Sequence, residues 1–86
     1  MSNDIATNAH AIAGEIFAAL QNLTPCGDSL MYHAAGYDRL ADAVAAADGE
    51  MSAVYAAADQ MDPAHGGDRI SSAIQISGNP AMYRFV

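Results

Sequence analysis

The sequence predicts a mostly α (α+β) fold: about three short helices followed by a C-terminal β-hairpin or a short fourth helix, in a single small domain. Three observations predict it. Apolar residues recur at steps of three or four up to Met61, the spacing that lines one face of an α-helix. Thr24-Pro25, Asp48-Gly49 and Asp62-Pro63 interrupt that pattern with residues that end helices or start turns. Beyond Asp68 the apolar period shortens to two, which suits a strand. No internal repeat or low-complexity linker divides the chain, so residues 1–86 read as one acidic domain.

The first helix is expected over about 4–23. Ile5, Ala9, Ile12, Ile16, Leu20 and Leu23 form its stripe, Ala13 and Phe17 widen it, and Ser2, Asn3 or Asp4 supplies a cap. A second helix is expected over about 29–47, capped by Asp28 or Ser29 and buried along Leu30, Ala34, Tyr37, Leu40 or Ala41, Val44 and Ala47. A third, over about 50–61, places Met51, Val54, Tyr55, Ala58 and Met61 on one side, with Asp48 as cap and Glu50 in the positive first turn. Helices two and three also read as one kinked helix, because a lone glycine costs only about 1 kcal/mol relative to alanine.

Residues 62–68, DPAHGGD, have loop chemistry. From there Ile70, Ser72, Ile74 and Ile76 alternate with Ser71, Ala73, Gln75 and Ser77, Gly78-Asn79-Pro80 reads as a turn, and residues 81–86 have strand-like composition. This predicts a hairpin over about 69–86. The competing reading is a fourth helix that uses Ile70, Ala73 and Ile74 and stops at Gly78.

Composition narrows the function. Ten carboxylates face three cations, Arg39, Arg69 and Arg84; there is no lysine, and the net charge is −7. Such a chain is repelled by nucleic acids and anionic membrane surfaces, which are bound through Lys and Arg, so neither is an expected partner. The same balance favours encounter with a basic protein surface. Alanine supplies twenty of the apolar residues, which makes for a thin core and makes a homodimer a natural way to bury more. The lone Cys26 excludes an intrachain disulfide. The opening MSNDIATNAH lacks the basic and apolar regions of a targeting signal, and no run is long and apolar enough for a bilayer, so the expected location is cytoplasmic.

Several motifs invite a catalytic reading. Gly27-Asp28-Ser29-Leu30 resembles the signature of the lipase and esterase family named for those four letters, and Asp62-Pro63-Ala64-His65 resembles that family's late Asp-x-x-His. The resemblance implies a Ser29 nucleophile served by His65 and Asp62. It covers eight residues. The serine does not follow a buried strand, and the family's oxyanion-hole glycine and asparagine blocks are absent, so capping and loop chemistry account for the same letters. Cys26 reads as a structural thiol, with His33 the only local basic group. His10, His33 and His65 show no metal-ligand spacing, and Gly66-Gly67 lacks the lysine and hydroxyl of a phosphate loop. No catalytic residue, metal or cofactor is expected.

What remains is the carboxylates. Asp38 and Asp42, four apart, share a helix face, and Asp48, Glu50, Asp59 and Asp62 gather around the third helix. Spaced negative charge on a helical surface imitates a row of phosphates. The chain is thereby similar in charge and size to small phage-encoded inhibitors of CRISPR and restriction systems. The expected function is a non-catalytic acidic module that binds, and inhibits or regulates, a partner with a basic, nucleic-acid-binding surface, through these six residues. The alternative is a homo-oligomeric structural or accessory subunit that associates through Met82, Tyr83 and Phe85.

Overall fold

The computed structural model describes residues 2–85, with side chains from residue 8 onward. Its elements run α1 (Ser2–Gln21), β1 (Tyr32–His33), α2 (Ala34–Ala45), α3 (Met51–Met61), α4 (Gly66–Ser77), α5 (Pro80–Tyr83) and β2 (Arg84–Phe85). The fold is mostly helical, with one short parallel sheet.

Each long helix buries one stripe, and the four stripes close on one another. α1 packs against both α2 and α3, and α4 packs against the same two, so α2 and α3 occupy opposite corners of a four-helix bundle. The core is Ile12, Ile16 and Phe17 of α1, Leu40 of α2, Val54 of α3 and Ile70 of α4, filled in by alanines such as Ala9, Ala13, Ala58 and Ala73. Polar ties reinforce the pairs. Tyr37 donates its hydroxyl to the Ser77 carbonyl at 2.6 Å, joining α2 to the end of α4, and Tyr55 and Ser71 share a 2.8 Å bond between α3 and α4.

The α1 stripe reads as the sequence predicts from Ala9 through Leu20, and Leu23 packs on the core from just beyond the helix, which ends at Gln21 rather than at about 23; the proposed caps and Ile5 lie outside the described side chains. The α2 start differs. Asp28 and Ser29 do not cap a helix, which begins only at Ala34, so Leu30 is left exposed instead of facing the core. Residues 24–33 double back as a tight antiparallel excursion. Cys26 N–H donates to Met31 O, His33 N–H donates to Thr24 O, and Pro25 bridges Tyr32. The turn needs Gly27 at φ +63°, and Ser29 Oγ accepts the Met31 amide. Asp48 likewise caps nothing: Glu50 is the residue before α3, without a side-chain cap bond. Gly49, at φ +80°, turns the chain sharply enough that α2 and α3 are separate helices rather than one kinked helix.

The hairpin reading of residues 69–86 is corrected, and the helical one holds. Residues 66–77 form α4, so the 62–68 loop also ends earlier than its composition suggests. The segment carries two apolar periods at once. Ile70, Ala73 and Ile74 lie three and four steps along the helix and face the bundle, with Ile76 packed at its margin, while the alternating Ser72 points to solvent. Isoleucine costs a helix well under 1 kcal/mol. Burial of Ile70 against three other helices outweighs that cost. Strand geometry survives only in Arg84 and Phe85, which pair in parallel with Tyr32 and His33 rather than with residues 70–76.

Candidate partner-binding surface

The six carboxylates singled out from the sequence fall in three places. Asp38 and Asp42 project from α2 beside α1. There they border a surface groove of about 550 Å³, together with Glu15 of α1 and the apolar Ala11, Ile12, Ala43 and Ala46. Asp48 and Glu50 lie in the α2–α3 connection, while Asp59 on the last turn of α3 and Asp62 just after it lie beside the start of α4.

Their engagements differ. Asp38 accepts two hydrogen bonds from Arg84, at 2.9 and 3.2 Å, which pin β2 to α2. Those bonds hold the Asp38 carboxyl below its usual range and raise Arg84 above its own. Burial, with the Asp38 charge adding to it, pushes the neighbouring Tyr37 phenol up. Glu50 accepts the Asn8 amide at 3.1 Å. Asp59 accepts the Gly67 amide at 3.0 Å, and Asp62 accepts the His65 amide and pairs with Arg69 at 3.3 Å. Asp59 thus satisfies a free amide in the first turn of α4, while Asp62 fixes the residue just before it. Asp42 and Asp48 are exposed and have no ion-pair partner among the described residues.

All three arginines are committed within the chain. Arg39 lies 3.8 Å from Glu15, Arg84 holds Asp38, and Arg69 joins Asp62 while its guanidinium lies 3.8 Å above the Phe17 ring. Glu15 was missed in the sequence because it falls on the polar side of the first helix. Only the packing of α1 on α2 brings it across from Asp42.

The enzyme-like letters are placed by other bonds. Ser29 Oγ lies in the exposed turn, and the Asp62 oxygens meet the His65 amide and Arg69 rather than the His65 ring. Among the described residues there are two two-residue strands in place of the α/β sheet that the resemblance implies. Among the described residues, no three His, Cys, Asp or Glu side chains converge as metal ligands would. No described helix is long and apolar enough to cross a membrane.

Of the association residues, Met82 and Phe85 are about half exposed, while Tyr83 stacks on Tyr32 with ring centres 6.4 Å apart. Leu30, placed in a buried stripe by the sequence, is the most exposed large apolar side chain among the described residues and belongs with them. Compared with protein families, curated proteins and solved structures, the chain matches none.

Proposed function

We propose that this protein is a non-catalytic binding module that docks an acidic surface onto a basic surface of a partner protein and so inhibits or regulates it. One observation carries the reading: every arginine side chain is held by a carboxylate or a ring of the same chain, which leaves the remaining charge turned to solvent negative. Any protein meeting this surface meets uncompensated carboxylates. The α1–α2 groove suits such an encounter, because lysine and arginine stems lie well on its apolar lining while their heads reach Asp42, the groove carboxylate left unpaired beside the Arg39–Glu15 pair. Partners that handle nucleic acid carry the required basic surfaces. The inhibitory role rests on the similarity of charge and size to phage-encoded inhibitors, and no cofactor or metal enters it.

The test is affinity capture from lysate of the source cells with the tagged chain at roughly 50 mM and 500 mM salt. Capture of a basic protein at low salt, weakened at least tenfold at high salt and by combining Asp42→Asn and Asp48→Asn, is the expected result. A partner held equally well at both salts, or by the double variant, would overturn the electrostatic reading. Asp38, Asp59 and Asp62 are left unchanged because each also holds the fold together.

A further inference from the structure

We propose that the chain forms a two-fold dimer through the surface where β1 and β2 meet, so that a second copy of this chain covers Leu30, Met82 and Phe85. Among the described residues these are three of the four large apolar side chains left exposed, at 76%, 55% and 49%. All three belong to one region. Leu30 and Met82 each lie two residues before a strand of the same two-stranded sheet, and Phe85 lies within it. The stacked Tyr32 and Tyr83 give that region a rigid aromatic base.

Charge selects the occupant. Two copies each carrying −7 repel, and contact through most of the surface would set unpaired carboxylates against each other. Here the charge on β2, Arg84, is already neutralised by Asp38, and the unpaired carboxylate nearest in sequence is Asp28 in the preceding turn. A basic partner gains little at a neutral apolar surface, whereas a second acidic copy meets its least repulsion there. The backbone agrees with this choice. β1 is flanked by β2 and by the Pro25 bridge, while the outer edge of β2 has no partner among the described residues. A two-fold axis beside that edge pairs β2 antiparallel with its copy, each strand satisfying the other. So few side chains make a contact below the usual size of about 1,200 Å² in total, so the dimer is weak.

The inference does not rest on the basic-partner reading, and the two respond oppositely to salt. Sedimentation of the whole chain from roughly 10 µM to 1 mM, at roughly 20 and 500 mM sodium chloride, tests it. The mass is expected to rise from one protomer toward two, with association several-fold tighter at high salt because the like charges are screened. Leu30→Asp and Met82→Glu, both outside the strands, should each weaken association about tenfold or more, while Ser52→Asp on α3 should change it little. Concentration-dependent amide shifts should be confined to residues 30–33 and 82–85. A single-protomer mass throughout would overturn the proposal. So would association that weakens with salt, or a dimer that survives both substitutions with shifts mapping elsewhere.

Discussion

Gly66 opens α4 where that helix passes directly against α3, and a Cβ at this position would overlap the Ala58 carbonyl. The obstacle is backbone, so no rotamer change relieves it, and α4 must move away from α3. Gly66→Ala is therefore expected to cost about 3 kcal/mol, the upper end of overpacking penalties. Gly49 makes the contrast, since it has nothing within 4 Å and needs glycine only for its φ of +80°. Gly49→Ala should cost about 1–2 kcal/mol. Urea midpoints of the two variants check both values, and equal midpoints would refute the close-approach argument. The sequence shows Gly66-Gly67 only as loop chemistry. Nothing in DPAHGGD says that a neighbouring helix lies against one of its glycines.

β2 shows how two residues can be held without regular secondary structure to speak of. Its ladder is two residues long, so the Arg84–Asp38 pair and the Tyr83–Tyr32 stack must carry much of its docking. Because Arg84 lowers the Asp38 pKa, the pair contributes fully above the unfolded carboxyl value of about 3.9 and is lost as pH falls through the lower folded value. The Phe85 amide, unlike that of Arg84, which donates to Pro80 O, should thus stay protected from about pH 7 to 5 and be released below about pH 3.9, while the core of α1 and α4 persists. In Asp38→Asn that release is expected already at neutral pH. Amide hydrogen exchange followed by NMR distinguishes the cases, and a pH-independent β2 would show that the pair is incidental. This tie joins residues forty-six apart. The sequence identifies both charges but not their meeting.

The whole molecule balances ten carboxylates against three cations, all three of them paired, so seven net charges repel in the folded state. Added salt screens that repulsion and also weakens the three ion pairs, each worth about 0–1 kcal/mol at a surface. Seven uncompensated charges outweigh three modest pairs. The melting temperature of dilute protein is therefore expected to rise by about 2–5 °C between roughly 20 and 500 mM sodium chloride. A fall over that range would mean that the ion pairs dominate. The acidity that recommends the chain as a binder of basic surfaces is thus also a cost to its own fold.

The sequence alone determined the helical class, the stripe of α1, the middle of the α2 and α3 stripes (Tyr37, Leu40, Val54 and Ala58, though not the exposed Leu30 and Met61) and the surplus of negative charge, because periodicity and composition are local properties that tertiary contacts rarely reverse. Only the tertiary structure decided residues 66–77, where two apolar periods coexist and burial of Ile70 and Ala73 selects the helix. It also decided the charges. The sequence counts carboxylates, whereas packing commits Asp38, Asp59 and Asp62 to the fold, leaves Asp42 and Asp48 to solvent, and brings Glu15 beside Asp42. It exposed Leu30 as well, since a helix that begins at Ala34 rather than at residue 29 cannot turn that side chain inward. Which groups face one another depends on helix order around the bundle, and that order is set by contacts distant in sequence, which no local pattern encodes.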